Sequence, residues 1–164
     1  MSLKRAFDPV VDARTRLLIL GSLPGDASLE AAQYYAHPRN AFWRLLGGVI
    51  ERDLAGLAYP DRLEALRAAH LGLWDVIARA ERRGSLDQAI RNAEASDLRQ
   101  LVANLPELRA VAFNGATAAR IGRRSLGAAP GLRLIDLPSS SPAHTQSYAD
   151  KATAWAVLRA AVSG

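Results

Sequence analysis

The sequence contains no cysteine and only two lysines among its 164 residues. Without thiols, the chain cannot form structural disulfides, a thiol nucleophile, a cysteine-ligated zinc site or an iron–sulfur cluster. The two lysines, Lys4 and Lys151, lie near the ends of the chain. This placement disfavours lysine Schiff-base chemistry at a central site.

Long apolar runs are also missing, since none approaches the roughly 18 residues that span a bilayer. The first residues, MSLKRAFDP, reach an acid and a proline before a hydrophobic signal region could form. We therefore expect a cytoplasmic protein without membrane association. Its length suits one compact domain over residues 1–164.

Positively charged residues outnumber negatively charged ones: the formal net charge is +5, and the sequence pI is about 10.2. Of the 21 basic residues, 19 are arginine. Such a surface attracts polyanions, including nucleic acids. A genome rich in G and C would also enrich alanine and arginine together, so composition leaves both explanations open.

Four short apolar runs recur along the chain, each followed by a segment with helical spacing. They cover residues 17–22, 71–77, 109–114 and 132–137. Continuous apolar runs of this length are typical of strands covered on both faces. Their alternation with helices predicts an α/β fold, a three-layer α/β/α sandwich around a central, mainly parallel four-stranded sheet. Ligands of such sheets bind beyond the carboxyl ends of the strands.

Capping residues predict where several helices begin. Pro60 suits a helix start, and Ser96 suits the N-cap of the helix that contains residues 98–105. The last helix is expected to begin near Ser147 and to bury Tyr148 and Trp155 on one face.

The first predicted strand runs into a loop with two glycines and a proline. It comprises Gly21, Ser22, Leu23, Pro24 and Gly25. Such a turn leaves backbone N–H groups free to face a ligand. It is neither a phosphate-binding P-loop nor a dinucleotide motif, because the glycine spacing differs and no Lys-Ser/Thr pair follows. A plain strand-to-helix turn is the alternative.

The next loop, residues 33–43, combines aromatic, amide, imidazole and guanidinium side chains. Tyr35 can stack on a nucleobase, and Arg39 can contact a phosphate. Asn40 also suits the N-cap of the following helix, a role compatible with function. We expect His37 to fix the loop, and Phe42 and Trp43 to pack in the core.

The fourth predicted strand ends in a rigid loop rich in hydroxyl groups. It contains Ser139, Ser140, Ser141, Pro142, Ala143 and His144. Hydroxyls and backbone amides can hold a phosphate, while Pro142 and Ala143 form a small apolar tip. The GxSxG nucleophile elbow of serine hydrolases is absent from the sequence, which disfavours that reaction.

Together these segments resemble the uracil-DNA glycosylase superfamily, most closely its hypoxanthine-DNA (deoxyinosine) glycosylase branch. The similar motifs are GSLPG at 21–25, QYYAHPRNAFW at 33–43, LWDVI at 73–77, GSLDQAIRN at 84–92 and LPSSSPAH at 137–144. Leu23 stands where many members carry a water-activating Asp or Asn, and Leu137 stands where the second motif often begins with His. The resemblance therefore implies a catalytic amide in the HPxN segment, here Asn40.

The resemblance implies hydrolysis of an N-glycosidic bond after the damaged nucleotide is flipped out of the DNA. Asn40 would orient the water, and Tyr35 would stack on the base. The base-binding set comprises Gly21, Ser22, Leu23, Pro24, Gly25, Tyr35, Asp75 and Asn114. The DNA-binding set comprises Arg39, Ser139, Ser140, Ser141, Pro142, Ala143 and His144.

The expected partner is double-stranded DNA with a deaminated base, most favourably hypoxanthine, and single-stranded DNA is also compatible. The protein is expected to act as a monomer in the bacterial cytoplasm or nucleoid, without metal or cofactor. The only side-chain amines lie outside the motifs, so an intact abasic site is the expected product. A uracil-DNA glycosylase and an inactive nucleic-acid or nucleotide-binding module remain the alternatives.

Overall fold

The computed structural model describes residues 2–163, with only the backbone of Ser2 included. Its strands are β1 Ser2–Arg5, β2 Leu17–Gly21, β3 Leu71–Asp75, β4 Ile77–Arg82, β5 Arg91–Ala95, β6 Ala110–Asn114 and β7 Arg133–Leu137. Its α-helices are α1 Asp26–Ala31, α2 Phe42–Ile50, α3 Tyr59–Ala68, α4 Leu98–Ala103, α5 Ala116–Leu126, α6 Tyr148–Trp155 and α7 Leu158–Val162. None of these helices is long and apolar enough to cross a membrane.

The central sheet confirms the predicted fold class. Its strand order is β3-β2-β6-β7, and all three pairings are parallel. Every residue of β2 is buried, so the strand is covered on both faces and reads as a continuous apolar run. All four carboxyl ends lie at one edge, where the site was expected.

Two hydrophobic cores lie on opposite faces of this sheet. Leu17 and Ile19 pack with residues of α2, α3, α6 and α7, whereas Leu18 and Leu20 pack with residues of α4 and α5. Alternate residues of β2 enter alternate cores because successive side chains of a strand point to opposite faces of the sheet. Phe42 and Trp43 are buried in the first core, as expected.

A second sheet was not predicted from the sequence. It is antiparallel, with strand order β1-β4-β5. The apolar run 71–77 was expected to form one strand, but it divides between β3 and β4. Val76 lies at the division, where its N–H donates to Gly21 O at 2.8 Å. Because Val76 and Ile77 are both buried, the hydrophobic pattern shows no break at this point.

Two helix predictions were wrong in detail. Asp97, not Ser96, caps α4 by accepting from the backbone N–H of Gln100 at 3.1 Å. Ser96 is buried, and its hydroxyl donates to Asp75 O at 2.7 Å. Tyr148 does not face the core: it is 38% exposed, and the guanidinium of Arg44 lies over its ring.

Candidate active site

A cleft of about 750 Å³ lies at the carboxyl ends of the parallel strands. Every residue of the base-binding set lines it, as do Asn40 and residues 139–144. Arg39 lies outside the lining and is exposed to solvent. The tertiary structure thus brings four distant loops to one place.

The hairpin between β4 and β5 forms a wall of the cleft that was not assigned a role from the sequence. Its contribution comes from Ser85, Leu86, Asp87 and Gln88. Two hydrogen bonds join it to the first loop: Ser22 Oγ donates to Asp87 Oδ1 at 2.7 Å, and Asp26 N donates to Ser85 Oγ at 2.9 Å. The GSLDQAIRN motif at residues 84–92 includes this wall. Its contact with the first loop could not be predicted from the sequence, because the two segments are about 60 residues apart along the chain.

A buried arginine supports the glycine-rich loop from below. Arg82 is 0% exposed, and its guanidinium donates to Pro24 O at 2.5 Å and to Gly84 O at 2.7 Å. Hydrogen bonds between a charged group and backbone carbonyls are stronger than neutral ones. Arg82 therefore holds the first loop against the hairpin. The loop is thus supported by a long-range contact, in addition to connecting β2 with α1.

Asn40 lies at the start of α2, where its Oδ1 accepts from Phe42 N at 3.0 Å. Ala41 occupies the N-cap position itself, and its N–H donates to Ser140 O at 3.0 Å. The Asn40 side chain thus supports the first turn while it also lines the cleft. His37 fixes the same loop as expected, because its Nδ1 accepts from Arg39 N at 3.1 Å.

Tyr35 presents its ring to the cleft. The ring stacks on Phe42 with centroids 3.8 Å apart and an interplanar angle of 12°. Phe42 is fully buried, so Tyr35 is the outer member of the stacked pair. The backbone of Tyr35 is left-handed, with φ of +54°. Non-glycine residues rarely adopt this conformation, and such positions cluster at functional sites.

Gly21, Tyr35 and Asp75 meet at the floor of the cleft. A Cβ atom at Gly21 would lie 2.7 Å from both Asp75 Oδ1 and the Tyr35 hydroxyl. Within the part of the chain that the structure describes, the Tyr35 hydroxyl and Asp75 Oδ2 are buried and have no hydrogen-bond partner. Glycine therefore lets these two polar side chains pack closely against the end of β2, where a Cβ would collide with both.

Burial dominates the electrostatics of this floor. It raises the pKa of Asp75 to about 7, with a further increase from the Asp87 charge and an opposing decrease from Arg82. Burial and the Asp75 charge also raise the pKa of Tyr35. Asp75 is therefore near the midpoint of its titration at neutral pH, whereas Tyr35 stays neutral.

Asn114 and Ser140 form a reciprocal pair across the cleft floor. Ser140 N donates to Asn114 Oδ1, and Asn114 Nδ2 donates to Ser140 Oγ, both at 2.9 Å. Ser140 is 1% exposed, and this placement does not suit the DNA contact assigned to it from the sequence. Its hydroxyl and amide already bind Asn114, so the pair joins the end of β6 to the serine loop.

The serine loop, residues 139–144, is held by internal and long-range hydrogen bonds. Ser139 Oγ accepts from Ser141 N at 3.1 Å, and Ser141 Oγ accepts from Ala143 N at 3.2 Å. The sequence placed Lys151 outside the motifs, but its Nζ donates to Ser141 O at 3.0 Å. Burial lowers the pKa of this lysine. The loop is therefore rigid on its inner side and exposes residues 142–144.

The two leucines that replace polar residues of the resembled family are buried. Leu23 is 7% exposed and Leu137 is 4% exposed, and each belongs to one of the two hydrophobic cores. Neither position supplies a polar side chain to the cleft. Within residues 2–163, no group of three or more His, Asp or Glu side chains could hold a metal ion. The polar side chains of the cleft are therefore amides, hydroxyls, the imidazoles of His37 and His144, and the carboxyl groups of Asp26, Asp75 and Asp87, of which Asp75 is the buried one.

Comparisons with known proteins agree with this geometry. Residues 9–161 match the model of the uracil DNA glycosylase superfamily. A hypoxanthine DNA glycosylase from Methanosarcina barkeri is 42% identical over 153 residues, 93% of this chain and 96% of that protein. Another from Methanosarcina acetivorans is 40% identical over 96% of this chain and 99% of that protein. The solution NMR structure of a candidate uracil DNA glycosylase from M. acetivorans matches with a TM-score of 0.85 at 39% identity, covering 98% and 99% of the two chains.

Proposed function

The chain belongs to the uracil DNA glycosylase superfamily, and we propose that it is a DNA glycosylase that releases hypoxanthine from deoxyinosine by hydrolysis. The observation that carries the proposal is the cleft itself, which combines Asn40 with Tyr35 and a glycine-lined floor. A purine inside a duplex is unreachable, so the nucleotide must be flipped into this cleft.

In this proposal Asn40 positions the attacking water. Its Oδ1 already accepts from Phe42 N, and the second lone pair of an amide oxygen can accept from a water molecule. Cleavage of an N-glycosidic bond passes through an oxocarbenium-like sugar, which a weakly basic water can attack. Backbone N–H groups of residues 21–25, among which only Pro24 lacks one, would stabilise the negative charge that develops on the departing base.

DNA would bind across the exposed part of the serine loop. Ser139 and Ser141 are partly exposed and suit phosphate contacts, and Pro142, Ala143 and His144 suit the gap left by the flipped nucleotide. Arg39 is exposed beside the cleft and suits a more distant phosphate. We propose duplex DNA with a deaminated base as the main substrate, bound by a cytoplasmic monomer, with single strands as a second substrate.

The test is incubation of EDTA-treated protein with a labelled inosine-containing duplex. We expect full-length product that breaks only after hot alkali, because hydrolysis leaves an intact abasic site. Matched duplexes with uracil test the rival base, and preferential release of uracil would contradict the hypoxanthine assignment. Binding without release would instead indicate an inactive DNA-binding module.

Formation of a covalent protein–DNA adduct would contradict a purely hydrolytic reaction. Borohydride traps the Schiff base that a lyase forms with the opened sugar, and Lys151 is the side-chain amine beside the serine loop. We expect no trapped adduct in proportion to turnover. The Lys151→Arg variant would identify the amine if an adduct formed.

Tyr35→Ala is expected to reduce the rate of hypoxanthine release by about 5–150-fold, because base stacking contributes about 1–3 kcal/mol. Tyr35→Phe keeps the ring and should change the rate little. Single-turnover rates of the two variants measure the difference. Equal losses in both would assign the effect to the hydroxyl group rather than to stacking.

A further inference from the structure

Helix α6 places a buried lysine beneath the serine loop. Lys151 is only 4% exposed, although lysine is rarely buried to this degree unless it is paired with an acid. None of the ion pairs within residues 2–163 includes it, and burial lowers its pKa. Its Nζ instead donates to the carbonyl oxygen of Ser141 at 3.0 Å. Burial of a charge without a counter-ion is costly, so the position of this cation calls for a functional explanation.

Ser141 is the residue on which the exposed tip of the loop is built. Its carbonyl oxygen accepts from His144 N at 3.0 Å, which closes the turn around Pro142 and Ala143. Its hydroxyl accepts from Ala143 N at 3.2 Å. The two lone pairs of the carbonyl are therefore shared between His144 N–H, which closes the turn, and Lys151, which attaches the turn to α6. Lys151 thus binds the base of the tip itself.

A second side chain of α6 holds the beginning of the same loop. Trp155 is fully buried, and its Nε1 donates to Pro138 O at 2.9 Å. Residues four apart lie on the same face of a helix, so Lys151 and Trp155 face the loop together. The helix therefore fixes the loop at Pro138 and at Ser141, while residues 142–144 remain exposed.

Opening of a duplex places a load on this tip. Extrusion of a nucleotide breaks a base pair and stacking contacts, and the tip is the part of the loop that would fill the gap. If the tip bends away, the gap stays empty and the base returns to the stack. Hydrogen bonds from a charged donor are stronger than neutral ones, so a lysine holds the turn more firmly than a neutral side chain would. A single strand has no paired base to open and needs no such support.

We propose that Lys151 is a positioning residue for duplex opening: it holds the turn of residues 141–144 in the shape that fills the gap left by the flipped nucleotide. This inference rests on the proposed function. Lys151 acts through Ser141 and does not touch the reacting atoms. Its loss should therefore slow the release of hypoxanthine from duplexes and leave release from single strands unchanged.

The test compares Lys151→Met with wild type on three inosine substrates: a duplex with cytosine opposite inosine, a duplex with an abasic analogue opposite inosine, and a single strand. Methionine keeps an unbranched apolar stem but has neither charge nor donor. We expect single-turnover release from the cytosine duplex to fall about 10–50-fold, as for the loss of a hydrogen bond to a charged group, and release from the single strand to change less than about twofold. The abasic duplex should lie between them, because a defect in positioning follows the cost of opening.

A fluorescent base separates opening from bond cleavage. 2-Aminopurine placed next to inosine becomes brighter when its neighbour leaves the stack, and we expect a smaller increase with Lys151→Met than with wild type at saturating protein. Titration of active sites corrects each rate for any loss of folded protein. The melting temperature should not fall, because the substitution removes a buried charge that has no counter-ion.

Arg159→Met is the matched control. Arg159 also donates from a charged side chain to a backbone carbonyl, Gly48 O at 3.2 Å, but neither residue lines the cleft. Its loss should leave the ratio of duplex to single-strand rates unchanged.

Equal losses on the duplex and the single strand, or an unchanged rate on the cytosine duplex, would overturn the inference while hypoxanthine release itself stands. Wild-type protein that releases no hypoxanthine from any of the three substrates would overturn the proposed function instead. The aminopurine signal would then still show whether Lys151 supports opening.

Discussion

Replacement of Asn40 by alanine is expected to reduce the rate of hypoxanthine release by about 10²–10³-fold or more, while binding to inosine-containing DNA persists. Loss of one preorganised polar group costs about this much, and loss of water placement adds to it. Asn114 cannot take its place, because both its Oδ1 and its Nδ2 are engaged with Ser140. Single-turnover kinetics and fluorescence anisotropy measure the two effects separately.

The same substitution removes the hydrogen bond from Phe42 N, so stability needs its own control. Asn40→Ala should cost about 1 kcal/mol of folding free energy, as for other losses at helix starts. Asn40→Ser keeps a short acceptor for this N–H but has no amide. Both variants should be inactive, and only the alanine variant should melt earlier. A serine variant with wild-type activity would refute the role of the amide.

Substitution of Gly21 by alanine is the second large effect, with an expected loss of about 10²-fold in activity. The added Cβ would lie 2.7 Å from Asp75 Oδ1 and from the Tyr35 hydroxyl, closer than real Cβ contacts allow. Tyr35 cannot move freely, because its ring is stacked on the buried Phe42. The strain of overpacking should also lower the free energy of unfolding by about 1–3 kcal/mol.

Two controls make this prediction specific. Gly48 lies within α2 with nothing within 4 Å of its added Cβ, so Gly48→Ala should leave activity unchanged and stability equal or higher. Tyr35→Phe removes one of the two clashing atoms, so the Gly21→Ala/Tyr35→Phe double variant should recover part of the lost rate. A fully active Gly21→Ala variant would show that the close packing of Gly21, Tyr35 and Asp75 has no part in the reaction.

Much of the fold could be predicted because the four parallel strands carry a strong local signal. β2 and β6 are apolar runs buried along their whole length, and the edge strand β7 exposes Arg133 and Asp136. The observed bounds of all four strands agree with the predicted runs within two residues. The antiparallel sheet lacked such a signal. Arg91–Ala95 is exposed along its length, and β4 continues the apolar run of β3, so neither strand was visible as a separate element.

The candidate site divides in the same way. Loop composition alone singled out residues 21–25, 33–43 and 137–145, because costly side chains concentrate in loops that carry function. The hairpin wall at residues 85–88 was missed, since its partners Ser22 and Asp26 lie about 60 residues away along the chain. The exposure of Tyr148 was also not predicted. Helical spacing shows which residues share a face, but it does not show that this ring packs under the guanidinium of Arg44 rather than in the core.

The sequence by itself determined the parallel sheet, the loops at its carboxyl edge and the residue types available for chemistry there. Strand periodicity, glycine and proline turns and missing thiols are local properties, so they can be read without knowing the fold. Only the tertiary structure decided how these groups behave. It buries the carboxyl group of Asp75 at the cleft floor beside Gly21 and Tyr35, pairs Asn114 with Ser140, and brings Lys151 to the serine loop. Burial and proximity set pKa values and hydrogen-bond partners, and both depend on residues far apart in the chain.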